Sequence, residues 1–518
     1  MASNAMSSAS GNIRWNRSNI KTIAQPGGFT GTGRARELTD GRGKAFNAPM
    51  AGIVSYGSYI PYRRLKRAAI GQVLGIPAGR GERAVASFDE DSVSMAAEAL
   101  RDALKAAPSP AVTSLTYATT TPPYAEKLNA ALVGAAAQLP AEIRANDSTG
   151  SVRAGLSAML QAAESVAASG GQAAVALADC RLGAPEGKLE QSGGDGAAAF
   201  IFGTENVLAE VEASASLTRE YLDTWRAPGE RFAHSWEERF ALTQAYSPLF
   251  KKIIHDALAK AKVAPGDLAK IVLDAPNQRA AEEMLKELKL DPAKVADSLA
   301  LTVGQAGAAH AALMLTAVLP AAKPGDRILV ATVSDGADAM VLRVMPPAAA
   351  FRPVHSVGRM VESKGDVSYG NYLKWREILP TEPPRRPDPD RPAGPPMMRS
   401  ARWKFGLVGS RCTACGTPQL PPQRVCVKCR AFDKMEPYGF ADRTGRIATY
   451  AIDRLAYSLN PPTVNVVIDY DGGGRFLCEM TDCEPDKVAI GDEVEMTFRR
   501  LFTADGVHNY FWKARPRR

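Results

Sequence analysis

Residues 147–158 read DSTGSVRAGLSA, small polar residues and glycine that tip into a helical pattern. Such a turn sets a side chain at a helix N-terminus, where the dipole and free N–H groups favour negative charge. Val152 opens that helix, and a valine cannot be acylated. Ser151 beside it carries a hydroxyl, the residue type of a helix N-cap. A second cluster, RCTACGTPQLPPQRVCVKC, pairs Cys412 with Cys415 and Cys426 with Cys429. Two CxxC knuckles can place four thiolates about 2.3 Å from one tetrahedral zinc. Four thiolates fill the coordination shell and leave no position for water, so this spacing predicts a structural Zn2+.

Behind these residues lies an α/β pattern. From Met50 to about Pro346, apolar runs such as VTSLTYATT, QAAVALAD, KIVLDAP and RILVATV alternate with alanine-rich helical stretches. An offset of 154 residues carries Thr120 to Asp274, Val152 to Ala306 and Cys180 to Ser334, each pair in the same kind of place. The pattern predicts two similar halves, 50–205 and 206–348, whose strand ends and helix N-termini converge in a pseudo-twofold α/β/α/β/α sandwich. Residues 1–49, rich in Ser, Gly, Asn and Arg without apolar periodicity, are read as a disordered extension. Residues 349–400 are read as a Pro-rich linker, 401–435 as the zinc ribbon. In 436–518, alternating strands with glycine turns (GRIATYAID, TVNVVIDYD, GRFLCEMTDC, DEVEMTFRRL) predict a small barrel of the OB type, with Cys478 and Cys483 in its wall.

The net charge of +8 is spread through the chain, with no basic face interleaved with aromatics. Nucleic acid is therefore not expected as a partner, and a polyanionic small molecule accounts for the excess. Seven cysteines, four of them clustered, fit a reducing compartment. No run of about 18 apolar residues and no secretory signal pattern is visible, so the reading is cytoplasmic, without a membrane partner.

The segments DEDSVSMAAEAL, LADCRLGAP, FKKII, LDAPNQR and AKPGDRILV together resemble the thiolase superfamily, and within it 3-hydroxy-3-methylglutaryl-CoA synthase. The ribbon and barrel resemble the acyl-CoA-associated OB-fold partners of thiolases. The first resemblance covers about residues 50–346 and implies a coenzyme A thioester as substrate and a homodimer or tetramer. It also implies changed chemistry. The family's acylated cysteine falls on Val152, its histidine on Asp274, its glutamate on Thr120 and its asparagine on Gln305. Covalent acyl transfer thereby loses its nucleophile, while enolate chemistry at a thioester remains open, the requirement of an aldol or retro-aldol reaction. Thiolase-like aldolases that lack the nucleophile imply Asp274 as general base, although an aspartate there can equally cap the following helix. Tyr124 and His310 are further candidates for proton transfer, and Cys180 for a replacement nucleophile. Arg153 and Arg279 stand where the family has lysines, and with Asn277 they are the candidate coenzyme A contacts. The segment YLDTWRAPGERFAHSWEERF resembles the one that closes over substrate. Two rivals stay open: Claisen-type acyl transfer through Cys180 or Ser151, and a non-catalytic acyl-CoA-binding scaffold.

Overall fold

The computed structural model describes residues 51–518, apart from positions 108, 109, 277, 386 and 388 and the side chains of Gln278 and Arg279. The expected extension 1–49 and two expected coenzyme A contacts, Asn277 and the Arg279 side chain, lie outside the described residues.

The alanine-rich apolar runs become strands. In chain order these are β1 (Gly52–Tyr59), β2 (Val112–Thr119), β3 (Arg144–Thr149), β4 (Gln172–Cys180), β5 (Asp195–Gly203), β6 (Ala209–Thr218), β7 (Leu268–Asp274), β8 (Arg327–Val333) and β9 (Gly336–Val344). They hydrogen-bond in the order β7-β8-β9-β6-β1-β5-β4-β2-β3. The order is a duplication about the β6–β1 seam. Outward from it, β1, β5, β4 and β2 in one half correspond to β6, β9, β8 and β7 in the other, each with two antiparallel pairings followed by a parallel one. Among the described residues, the ladder across the seam pairs Gly52 and Ile53 with Glu210 and Ala209, so the two half-sheets are joined at a corner.

Four helices repeat the same symmetry: α1 (Ser92–Ala106), α2 (Ala154–Ser169), α3 (Ser247–Ala261) and α4 (His310–Val318). Asp91 accepts from the Ser94 N–H while the Ser94 hydroxyl accepts from the Asp91 N–H, a capping box that fixes the start of α1. The apolar faces of α1 and α3 cover the outer surfaces of the two half-sheets. Helices α2 and α4 form the central layer, packed with Phe200, Phe202 and Val175 of one half-sheet and Ile328, Val330 and Leu342 of the other. This is the five-layer thiolase-like sandwich. Its centre is tight: a Cβ on Gly155 in α2 would sit 1.9 Å from the Ala308 carbonyl oxygen, so only glycine lets the two halves meet there.

The span 349–400 departs from a plain linker. Val357–Glu362 and Tyr369–Trp375 are helical, Gly365–Asp366 pairs in parallel with Arg63–Arg64, and Val367, Tyr369, Tyr372 and Trp375 share a small core with Leu65, Ile70 and Val85. Prolines cluster only after this anchor, and they dominated the composition of the whole span. Beyond them, a three-stranded ribbon carries the four cysteines. Then β10 (Gly445–Asp453), β11 (Thr463–Tyr470), β12 (Arg475–Met480), β13 (Glu493–Ala504) and β14 (Val507–Pro516) close into a five-stranded barrel, with β12 and β14 parallel.

The barrel docks on the N-terminal half through buried charge. Arg499 Nη1 lies 2.8 Å from Glu90 Oε1 and 3.3 Å from Asp89 Oδ1, and its Nη2 lies 2.5 Å from Asp482 Oδ2. Lys513 reaches Asp89 at 3.0 Å, Arg515 reaches Glu98 at 3.1 Å, and the Tyr510 hydroxyl donates to Asp91 at 2.6 Å. The acidic DED run at the head of α1 is thus the barrel's socket.

His355 sits at the edge of this interface, with Nδ1 2.6 Å from Asp102 and Nε2 3.6 Å from Glu495. Burial alone would lower its pKa, but the hydrogen bonds to the two carboxylates outweigh it and hold it up at about 9. The folded value exceeds the unfolded one, so its stabilising effect is complete below about pH 6.5 and is lost as pH rises toward 9. His355→Gln should flatten the decline in melting temperature across that window; an unchanged pH profile would exclude the assignment.

Candidate active site

Three cavities of about 170, 430 and 580 Å3 lie where the strand ends of the two halves meet, the first sharing lining residues with each of the other two. Val152 lines the first and second, and Gln305 the first and third. The middle of this cleft is therefore where three positions identified by resemblance, 152, 305 and 274, come together.

Asp274 is the last residue of β7, and its neighbour by symmetry, Thr120, follows the end of β2. Asp274 is 3% exposed and lines the largest cavity together with His310 and Gln305. Gln305 Nε2 donates to its Oδ1 at 3.0 Å, Thr332 stands 3.5 Å from Oδ2, and the Ala311 N–H in the first turn of α4 also faces the carboxylate. Burial raises its pKa above the ordinary 3.8, against the lowering influence of His310 and these donors. His310 accepts the Ala306 N–H at Nδ1 (3.2 Å), which leaves its proton on Nε2, and burial lowers its pKa. The pair is a buried carboxyl group beside a buried imidazole.

Thr120 lines the 430 Å3 cavity but is fully engaged, donating to Asp179 Oδ2 at 3.0 Å and accepting from Arg181 Nη1 at 2.7 Å. Asp179 was not singled out by the sequence, yet it organises this corner. Its carboxylate, with no exposure, accepts from the hydroxyls of Thr119, Thr120 and Thr121, from the Thr120 N–H and from the Ala308 N–H across the twofold. Gly307 makes room for it: at φ +56° it would otherwise place a Cβ 2.0 Å from Asp179 Oδ2. No spacing rule flags such a hub, because its partners come from two distant loops.

Cys180 ends β4 and lines the same cavity, but burial and then the Asp195 carboxylate push its thiol well above the ordinary value, away from thiolate. Ser151 is not the N-cap of α2. That position belongs to Arg153, and the Ser151 hydroxyl instead accepts the Arg153 N–H at 3.1 Å and donates to Asp335. Arg153 holds Asp338 in a bidentate pair, with both contacts at 2.9 Å, and Thr218 at 2.9 Å. It therefore presents no free guanidinium to a phosphate. Tyr124 is turned toward the barrel, accepting the His508 N–H at 2.8 Å with its ring tilted 46° against the imidazole at 4.6 Å, outside the residues that line the cleft. The structure thus gathers Asp274, His310, Gln305, Thr120, Cys180, Ser151 and Val152 around one cleft and leaves Tyr124 apart.

The 430 Å3 cavity is closed from one side by Trp375 and Arg376 of the segment after the sandwich and by Arg500 of the barrel. The residues beyond 350 are walls of the site.

The chain is 32% identical over 345 residues to hydroxymethylglutaryl-CoA synthase of Methanopyrus kandleri, a match spanning 63% of this chain and 97% of that protein. It belongs to the hydroxymethylglutaryl-CoA synthase family. The synthase of Caldivirga maquilingensis is 31% identical, with 63% and 98% covered. Among solved structures, the chain shares its fold with an HMG-CoA synthase complexed with CoA (TM-score 0.55, 15% identity, 63% of this chain and 90% of that one). It also shares it with MvaS in complex with 3-hydroxy-3-methylglutaryl coenzyme A (TM-score 0.55, 19% identity, 66% and 95%). Residues 258–344 match the model described as 3-oxoacyl-[acyl-carrier-protein] synthase III C terminal. Residues 405–436 match the ChsH2 rubredoxin-like zinc ribbon domain and 440–499 the ChsH2 C-terminal OB-fold domain. The family is one of thiolase-like enzymes that condense acyl-CoA, here joined in one chain to a ribbon and barrel.

The four ribbon sulfurs all lie within 4.8 Å of one another, with Cys412 to Cys429 at 3.6 Å and Cys415 to Cys426 at 3.5 Å. Tetrahedral Zn–S bonds of about 2.3 Å require sulfurs about 3.8 Å apart, so the quartet fits a zinc ion.

Proposed function

We propose that the chain makes or breaks a carbon–carbon bond next to the thioester of a bound acyl-CoA, by aldol or retro-aldol chemistry without a cysteine intermediate. The observation that carries this reading is the buried Asp274 carboxylate facing a cleft in which Val152 stands at the family's nucleophile position. In the cleavage direction Asp274 takes the proton of the β-hydroxyl. The Cα–Cβ bond breaks, its electrons pass to the thioester carbonyl as an enolate, and a carbonyl compound leaves. The enolate then takes a proton at Cα to give the shortened acyl-CoA. The Val152 N–H, which has no hydrogen-bond partner among the described residues, is the donor we assign to the enolate oxygen. His310 and Gln305 orient Asp274. Arg226 and Arg231, at the exposed mouth of the 430 Å3 cavity, are the cations we assign to coenzyme A, in place of Arg153. The edge strand β3, partly exposed and unpaired on one side, supports self-association as a dimer.

We assign a structural zinc to the ribbon, held by Cys412, Cys415, Cys426 and Cys429. Chelation should unfold the ribbon, read as lost protection of its amides from hydrogen exchange, while the sandwich keeps its protection. Simultaneous loss in the sandwich would contradict a local role.

The test of function is mass spectrometry after incubation with a panel of β-hydroxyacyl-CoA and β-ketoacyl-CoA thioesters, reading protein mass and CoA products together. A shortened acyl-CoA with a released carbonyl compound and unmodified protein is the expected result. An acyl adduct on Cys180 or Ser151 would overturn it in favour of acyl transfer, and silence in both channels would favour a binding scaffold.

A further inference from the structure

We infer that the acyl group bound in the cleft carries a bulky apolar substituent on its β-carbon, seated in the 580 Å3 cavity behind Asp274. The inference rests on Asp274 as the base of the proposed reaction and adds what surrounds the bond that breaks.

The course of the acyl chain follows from which residues line which cavity. Val152, whose N–H is assigned to the enolate oxygen, lines the 170 and 430 Å3 cavities and not the 580 Å3 one. Asp274 lines the 580 Å3 cavity and neither of the others. Gln305 stands between, lining the 170 and 580 Å3 cavities and donating to Asp274 at 3.0 Å. A β-hydroxyl within reach of Asp274 therefore sets the β-carbon at the entrance of the 580 Å3 cavity, with the thioester on the far side of Gln305. The remaining substituent of that carbon then points into the cavity, away from coenzyme A.

The two ends of the cleft differ in chemistry. Arg226 and Arg231 stand at the mouth of the 430 Å3 cavity. The wall of the 580 Å3 cavity is mostly aliphatic, with Leu273, Leu285, Val295 and Met314 among its residues. Its cation, Lys188, is paired with Glu238 at 2.6 Å. Gln305 accepts the Gly307 N–H at 2.7 Å, and His310 is held between the Ala306 N–H and the Ser298 carbonyl. The groups that could orient a polar ligand there are thus engaged by the protein, and Glu282 is exposed. A methyl substituent would leave most of the space unfilled, since pockets of about 300–1,000 Å3 enclose a whole drug-sized ligand. Unfilled apolar space forfeits the contacts of its lining, so each methylene that enters it adds affinity.

Titration calorimetry on the full chain tests this with CoA, butyryl-CoA and 3-cyclohexylpropionyl-CoA, thioesters whose β-carbon bears a methyl or a cyclohexyl group and no hydroxyl to deprotonate. The cyclohexyl thioester should bind the wild type about tenfold or more tightly than butyryl-CoA. Ala281, on the helix Gln278–Glu287, lines the cavity and is partly exposed, so Ala281→Phe sets a ring in the same space and should remove most of that preference. Equal binding of the two thioesters by the wild type overturns the inference without any variant, and so does a folded variant that keeps the full preference. Cleavage of 3-hydroxybutyryl-CoA and 3-cyclohexyl-3-hydroxypropionyl-CoA is followed in parallel. A preference that Ala281→Phe removes, with neither hydroxylated thioester cleaved, would overturn the aldol reading and support the seat of the substituent. If CoA and both thioesters fail to bind, the acyl-CoA reading falls first and the inference with it.

Discussion

Asp274→Asn should lower turnover by about 10^2- to 10^4-fold, the range that a positioned general base contributes, and leave CoA binding intact. The amide can still accept from Gln305 Nε2 and fill the same space, so the fold of the cleft is preserved. Only the capacity to take a proton is removed. Because burial raises the Asp274 pKa, the wild-type rate should rise with pH over a range above the ordinary carboxylate value, as the base ionises. Steady-state rates on the thioester that responds in the mass-spectrometric screen decide the matter. Equal activity in wild type and variant would remove Asp274 from the chemistry.

Arg499→Met destabilises the chain by about 3–5 kcal/mol, the cost of stranding buried charge by deleting one partner of an ion pair. The arginine side chain is 1% exposed and faces Asp89, Glu90 and Asp482, of which Asp89 is also paired with Lys513. Burial, followed by the repulsion of Asp482 and Asp89, raises Glu90 to about 7 even with Arg499 opposing. A raised carboxylate binds a proton in the folded state that the unfolded state has released, so stability falls as pH climbs from about 4.5 to 7. The variant should extend that fall to higher pH. Denaturant titrations at several pH values measure both effects, and Asp482→Asn in the same chain should return part of the loss. A variant as stable as the wild type would mean that the barrel is held by its apolar contacts alone.

Several of these features could be read from the chain before folding. The offset that carries Thr120 to Asp274 is a property of strand and helix lengths, and those lengths are written in the apolar periodicity. The cysteine quartet is local, with all four ligands inside eighteen residues of one another. Other features could not be read. Tyr124 lies near the strand end that carries Thr120, but its ring is claimed by His508 of the barrel, a contact 384 positions away. The span 349–400 has a linker's composition, yet Tyr369, Tyr372 and Trp375 bury into a core whose other members lie near residue 70. Ser151 has the residue type of an N-cap, but the N-cap position of α2 falls two residues later, and the serine hydroxyl accepts the Arg153 N–H while donating to Asp335 of the other half. Asp179 and Arg181 matter through what surrounds them, which the sequence does not display.

The socket for the barrel also bears on the order of synthesis. Asp89 is paired with Arg499, 410 residues later in the chain. At elongation rates of about 5–20 residues per second, that interval is roughly 20–80 s on the ribosome. Through it the N-terminal half carries an acidic cluster designed for burial and still in contact with water. The half-sheets and α1 can form during this time, but the socket is satisfied only when the barrel strands emerge. A chain interrupted within the barrel would keep the central cleft's residues and lack the cations that seat its wall. Such a fragment would present a hydrated acidic surface and an open cleft, a form that cellular proteases and chaperones can distinguish from the finished molecule.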